Sequence, residues 1–406
     1  MSAQPLAPIH SAVEPRASVF KGVVLPSLFL LVSMLNLTLI VAGLKELVID
    51  ELGGSARDAS LFFSIEMAAY IVFAPLWGLL SDRWGRRKPL VVAGFLLSAP
   101  LYWAYALVHD VTTLLSLRFV QGACSVMGWS TLMAMVLDQP DEKRRGRYVG
   151  LMGGALILGV SLGAPIGGYV SRHFGARAPL ELAAALFLLV GVGSLALPEA
   201  ATLRERSSLA EIAATLKTRP RLLLPLAFHF VDRYTVGFFI VLFPLYLATL
   251  GVSDPAVRGR YLALFLLPFA LLQYFTGRLC ERVSSLPPLL GGSLLYGIVL
   301  CAIGYSDLQL LWFVMVLLGV LASIMFPPAI ALTGELSDAR TRGSAMGGFN
   351  LAGSLGFAIG PVVGAWAHAA HGFGFAFVLA GALEIAVVLI ALAFVRGDAF
   401  ARRPAA

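Results

Sequence analysis

The chain has 406 residues, is 59% hydrophobic and only 13% charged, and carries a formal net charge of +7 with a mean hydropathy of +0.85. A soluble domain is nearer half apolar and a quarter charged, so this composition excludes one. The apolar runs are continuous and about 20 residues long, the length of a helix crossing hydrocarbon, which excludes the alternating strands of a β-barrel. Nucleic acid is not needed to explain the basic excess, because Lys and Arg in loops between spans serve membrane topology.

Residues 1–20 form a polar, Pro- and Ala-rich tail without the short apolar core and cleavage site of a signal peptide, so an uncleaved first helix is expected to direct insertion. Six spans follow within 21–197, at 21–45, 57–80, 88–108, 112–137, 148–170 and 179–197. A polar, mixed-charge linker occupies 198–221, with amphipathic helical spacing at Leu209, Ile212, Ala213 and Leu216. Six more spans lie within 222–396, at 222–250, 259–280, 287–305, 309–333, 344–367 and 374–396, and 397–406 is a short tail. The three cysteines, Cys124, Cys280 and Cys301, sit in or at the end of apolar runs without metal-ligand spacing and read as packing residues; no metal or cofactor is expected.

Most Lys and Arg fall on the side of the N-terminus, which predicts that both tails and the linker are cytoplasmic. The densest knot of charge is "GLLSDRWGRRKPL", residues 78–90, between spans 2 and 3. The two halves also repeat. "DQPDEKRRGRYVGLMGGALILGVSLGAPIGG" from 138 aligns with "ELSDARTRGSAMGGFNLAGSLGFAIGPVVGA" from 335, so that Gly159, Gly163 and Gly167 fall on Gly356, Gly360 and Gly364. Likewise Gly78, Asp82 and Arg83 fall on Gly277, Glu281 and Arg282. The chain is therefore two copies of one six-helix unit, inserted in the same sense.

On these features the sequence resembles the major facilitator superfamily over nearly its whole length. "GLLSDRWGRRK" is similar to that family's signature loop between helices 2 and 3, and "GRLCER" to its echo after helix 8. "RFVQG", from Arg118 to Gly122, resembles the helix 4 motif of proton-coupled exporters, and the glycines of span 5 resemble the antiporter motif. One departure is Gly163-Ala164-Pro165, where the proline comes one residue late; Gly360-Pro361 has it in the usual place. The resemblance implies an all-α membrane fold of twelve transmembrane helices in two pseudo-symmetric bundles, with a substrate site between them near the midplane.

Three sets of site residues follow. By resemblance, Gly78, Asp82, Arg83, Gly85, Arg86 and Arg87, with Gly277, Glu281 and Arg282 in the second half, form a conformational latch. Asp82 is expected beside the N-terminus of span 11, whose free N–H groups favour a carboxylate, with the basic cluster meeting Glu335 and Asp338. Ionisable groups within spans are costly and usually functional. His229, Asp232 and Arg233 in span 7 are a candidate proton-coupling cluster, and Glu66 with Arg118 and Gln121 a second buried pair. Glu384 in span 12 reads as a packed, hydrogen-bonded or lipid-snorkelled carboxylate, and Lys45 and Glu46 as interface anchors. The glycines recurring every four residues make flat faces for close helix packing, across which bundles are expected to rock. Polar and aromatic cavity candidates are Asn36, Trp129, Tyr234, Gln273, Tyr274 and Asn350.

The functional expectation is a secondary transporter of a small organic solute, most simply a proton-coupled exporter of drugs or amphipathic metabolites acting as a monomer in the cytoplasmic membrane. The alternative is an uptake symporter for a sugar or organic acid. An enzyme is not expected, because no loop or cavity gathers a catalytic constellation. ATP drive is not expected either, because the sequence has no Gly-x-x-x-x-Gly-Lys-Ser/Thr loop.

Overall fold

The structure, a computed structural model, describes residues 19–138, 145–199, 208–282, 284–338 and 340–395. Among them ten helices are long and apolar enough to cross a membrane. The last, Arg342–Val395, is interrupted by Gly372 in the left-handed region (φ 81°) and so supplies two crossings. Helix Lys88–Tyr105 is of spanning length too but carries a terminal lysine and two prolines, which lower its hydropathy. Counting both gives the twelve crossings read from the sequence.

The helices are α1 (Leu25–Leu39), α2 (Ala56–Trp84), α3 (Lys88–Tyr105), α4 (Val111–Leu137), α5 (Arg145–Phe174) and α6 (Ala178–Gly193) in the first bundle. A short amphipathic α7 (Leu209–Thr218) lies in the linker, and α8 (Leu223–Thr249), α9 (Pro255–Arg282), α10 (Leu286–Ala302), α11 (Leu308–Glu335) and α12 (Arg342–Val395) build the second bundle. Caps set the boundaries: Ser55 and Asp58 form a capping box on α2, Asp110 caps α4, and Asp307 caps α11. Gly85, at φ 64°, ends α2 in the left-handed conformation that a side chain would disfavour.

Packing repeats between the bundles. In the first, α1 lies on α5, α2 on α4 and α3 on α6; in the second, α8 lies on the first part of α12, α9 on α11 and α10 on the remainder of α12. The bundles meet along α5 with α9 and along α2 with α12, which the repeat relates to each other. One end of the molecule carries the linker and the 82–88 loop, here called the linker end; the other is the far end.

The packing glycines act within bundles. A Cβ on Gly159, Gly163 or Gly167 would meet the α1 carbonyls of Leu31, Leu35 or Leu39 within 2.2 Å, and one on Gly356 or Gly360 would meet the α8 carbonyls of Phe230 or Tyr234 at 2.2 Å. Gly364 presses on the Phe238 ring of the same helix. This corrects the expectation that bundles rock across these faces: they seal α1 to α5 and α8 to α12. Cross-bundle closeness comes from other glycines. A Cβ on Gly168 would lie 2.4 Å from the Pro255 carbonyl, and one on Gly259 would lie 2.5 Å from the Ala164 carbonyl.

Candidate functional site: buried charge clusters and the two ends of the molecule

Two ionic clusters occupy the bundle interiors. In the first, Arg118 on α4 donates to Glu66 on α2 at 2.5 Å, and both side chains are 1% exposed. The guanidinium also donates to Tyr102 Oη and Gln121 Oε1, each at 3.0 Å, and to the Phe62 carbonyl at 3.3 Å, while lying 4.2 Å over the Phe62 ring. Tyr70 Oη donates to the other oxygen of Glu66 at 2.8 Å. A buried ion pair survives desolvation only when its remaining polar atoms are also bonded, and this one is.

In the second bundle, Arg233 on α8 donates from Nε to Asp232 Oδ2 at 2.9 Å, and its Nη2 lies 2.7 Å from the same oxygen as an ion pair without hydrogen-bond geometry. The guanidinium is ringed by Phe326 at 4.7 Å and by Phe269 and Phe357 at 5.5 Å each, supplied by α11, α9 and α12. A cation among aromatic faces is stabilised by their negative quadrupoles. Phe357 in turn meets Phe63 of the first bundle at 6.2 Å, so the cluster sits at the seam between bundles. His229 stacks on Phe349 at 3.8 Å, with its Nδ1 3.8 Å from Asp232 Oδ2. Asp232 Oδ1 and His229 Nδ1 are buried with no hydrogen-bond partner. Such atoms are costly to leave bare.

Other polar atoms of the interior are likewise unpartnered. They include both amide atoms of Asn36, Trp129 Nε1 and Gln273 Nε2. The three other cavity candidates lie elsewhere. Tyr234 is 3% exposed, and its backbone forms part of the α8–α12 seam; Tyr274 is 62% exposed beside Phe275, with Arg278 5.1 Å above its ring. Asn350 is exposed on α12.

The linker-end charges are arranged differently from the expectation. Arg87 is 2% exposed and bonds Asp138 at 2.5 Å, Ser81 at 3.0 Å and Asp82 at 3.3 Å, all inside the first bundle. Arg83, Gly85 and Arg86 are exposed, and Gly78 is buried. Glu199 accepts from the Arg87 and Lys88 backbone N–H groups and so caps α3 from the end of α6. Asp338 pairs not with the 83–88 cluster but with Arg219 of the linker. Bonds from the Thr341 hydroxyl and N–H, then the Arg219 charge, hold its carboxyl below the usual range. Glu335 accepts from Ser285 at 2.8 Å. A Cβ on Gly277 would meet only Pro327, at 4.0 Å. The side chains of Glu281 and Arg282 lie outside the described residues.

The far end is clasped across the bundles, a feature missed from the sequence. Arg258 on α9 is fully buried, pairs with Glu46, and donates to the Ala42 carbonyl at 3.0 and 3.1 Å. Arg172 at the end of α5 pairs with Asp254 at 2.7 Å, and nearer the middle of the same helix pair Ser161 donates to the Leu266 carbonyl at 2.9 Å. Glu46 is therefore a cross-bundle partner rather than an interface anchor, whereas Lys45 pairs locally with Asp50. The helix begins at Pro255 rather than near 259, which brings Arg258 inside the span.

The Major Facilitator Superfamily sequence profile matches residues 27–257 and 226–406. The chain belongs to the Major Facilitator Superfamily. Among other members, it is 27% identical over 323 residues to the multidrug resistance protein MdtH of Cronobacter sakazakii, covering 78% of this chain and 79% of that protein. It is also 27% identical to the multi-drug resistance efflux pump PmrA of Streptococcus pneumoniae, over 33% of this chain and only 31% of that protein's length. The crystal structure of a bacterial homolog of the human lysosomal transporter Spinster, in an inward-facing and unoccupied conformation, superposes with a TM-score of 0.75 at 16% identity, covering 91% of this chain and 94% of that one. A multi-pass facilitator-superfamily transporter is thus the frame in which both clusters are read.

Proposed function

We propose that the chain is a proton-coupled exporter of lipophilic or amphipathic organic compounds, working by alternating access in the cytoplasmic membrane with both tails cytoplasmic. The observation that carries this reading is Asp232: a buried carboxylate at the bundle seam, with one oxygen held by Arg233 and the other unpartnered beside His229. A carboxylate so placed can hold a proton in one state and yield it when a solute or the opposite bundle arrives. Trp129, stacked edge-on to Tyr70 at 5.4 Å, and the aromatic ring set around Arg233 suit a solute with apolar surface. The efflux relatives at 27% identity support the direction.

In this reading the clasped far end is the periplasmic or outer side, and the linker end is the one that opens toward the cytoplasm. Asp82 and the exposed Arg83 and Arg86 then engage the N-terminus of α12 only when the linker end closes. The coupling proton enters through the Asp232 cluster, and Glu66–Arg118 braces the first bundle and relays.

The test uses inside-out vesicles with an acidic interior and a panel of lipophilic cations, neutral drugs, sugars and organic acids, following the pH gradient after each addition. Collapse of the gradient by a cation or drug with the natural chain, lost in Asp232→Asn, is expected. Movement of a sugar or organic acid together with protons in right-side-out vesicles would instead establish uptake.

A further inference from the structure

A second acidic group lies in the same bundle and has no part in the scheme above. Glu384, on the second crossing of α12, is 0% exposed, and no Arg or Lys pairs with it among the described residues. Its contacts are hydroxyls: Ser293 on α10 lies 2.5 Å from Oε2, and Thr235 on α8 lies 3.2 Å from Oε1. Thr235 Oγ1 is also 2.9 Å from the Asp232 carbonyl. Tyr296, one turn along α10 from Ser293, is fully buried with its hydroxyl unpartnered.

Counting hydrogens shows that the frame fits both forms of the acid. A threonine hydroxyl has a single hydrogen, and a backbone carbonyl can only accept. When Thr235 gives its hydrogen to the Asp232 carbonyl, its bond to Glu384 needs a hydrogen from the carboxyl. An ionised carboxylate has none to give; a protonated one does. A lone carboxylate among hydroxyls, without a cation, is also far more costly to bury than the neutral acid. If the acid loses its proton, Thr235 can turn its hydrogen from the carbonyl to Oε1 with no movement of heavy atoms. The same frame therefore holds the carboxyl with or without its proton. We infer that Glu384 is a second exchangeable proton site of the C-terminal bundle, joined through the Thr235 hydroxyl to the turn of α8 that bears Asp232.

The groups facing it are few. Asp232, Thr235 and Arg233 come from α8, with Arg233 already paired to Asp232, and Ser293 and Tyr296 come from α10. The inference rests on the proton-coupled reading only for its role in transport. Whether Glu384 carries an exchangeable proton can be read without any substrate.

The experiment is infrared difference spectroscopy on the purified full-length protein at neutral pH. The natural chain is compared with Glu384→Gln, which keeps an acceptor and a donor at the same place, and with Asp232→Asn. A carbonyl band of a protonated carboxylic acid is expected in the natural chain. The band should be lost in Glu384→Gln, kept in Asp232→Asn, and shifted when the protein is moved to D2O. In parallel, proteoliposomes are assayed for tetraphenylphosphonium movement driven by a pH gradient, where Glu384→Gln should lose the dependence on the gradient while remaining folded by thermal shift. Absence of any acid band removed by Glu384→Gln overturns the inference, because the carboxyl is then ionised. A band that fails to shift in D2O also overturns it, because the proton is then locked in. If the natural chain moves no tetraphenylphosphonium in response to the gradient, that failure falls on the exporter reading for this compound, and the band still decides the inference.

Discussion

Arg118 illustrates what the residue scale explains. Its guanidinium satisfies Glu66, Tyr102, Gln121 and the Phe62 carbonyl, so removing it leaves a buried carboxylate with the Tyr70 hydroxyl but no counter-charge. In soluble proteins, breaking one side of such a pair costs about 3–5 kcal/mol. Arg118→Ala is therefore expected to lower the thermal midpoint of the purified protein sharply, and the double change with Glu66→Ala to recover part of the loss. Equal midpoints for the natural chain and Arg118→Ala would remove the brace from the account. The pair was legible as two charges in facing apolar runs, since only a partner makes such residues tolerable. Its tyrosines were not, because Tyr70 and Tyr102 look like any apolar-run aromatic until the fold brings them to the charge. Glu384 was seen and read as a hydrogen-bonded packing residue; its hydroxyl partners come from α8 and α10, which no local pattern links.

At the scale of elements the glycines separate into two working groups. Gly163 faces α1, where an added Cβ would stand 2.1 Å from Thr38 Oγ1 and 2.2 Å from the Leu35 carbonyl. Overpacking of this kind costs typically about 1–3 kcal/mol and more where backbone is the obstacle. Gly163→Val should reduce folded yield in fluorescence-detected size exclusion, whereas Gly150→Ala, whose Cβ would meet nothing within 4 Å, should be tolerated. If the two variants behaved alike, close packing of α1 on α5 would not be what the glycine repeat serves. Spacing in the sequence revealed the flat face but not its partner, because a four-residue repeat specifies a stripe on one helix and leaves open which neighbour lies on it. Twelve crossings and two halves were readable from hydropathy and repetition. The start of α9 was not: the span was placed from 259, and only the fold shows Arg258 inside the helix with Glu46 and the Ala42 carbonyl around it.

For the whole molecule, the decisive asymmetry is the far-end clasp against the linker-end cluster that stays within one bundle. Replacing Glu46 by Gln removes the carboxylate from a fully buried Arg258 and should shift the population toward a far-end-open state. Double electron–electron resonance between labels on the 50–55 and 250–254 loops should then report longer distances, and unchanged distances would mean the clasp does not hold the end closed. Asp82→Asn acts at the opposite end. It should insert normally and transport slowly, and normal transport at normal expression would confine the 82–88 loop to topology. The number of crossings was the most legible part of the chain at this scale, because span length is a local property. The state of the two ends was the least, because it depends on pairs more than 200 residues apart.

The central claim is that a proton gradient, acting through Asp232, drives solute out. Purified protein in proteoliposomes tests it most directly, with an imposed pH gradient of either sign and tetraphenylphosphonium followed across the membrane beside Asp232→Asn. Accumulation is expected only into an acidic interior, with reversal when the gradient is reversed, and neither with Asp232→Asn. Accumulation into an alkaline interior, or equal driven flux in the natural chain and Asp232→Asn, would contradict it.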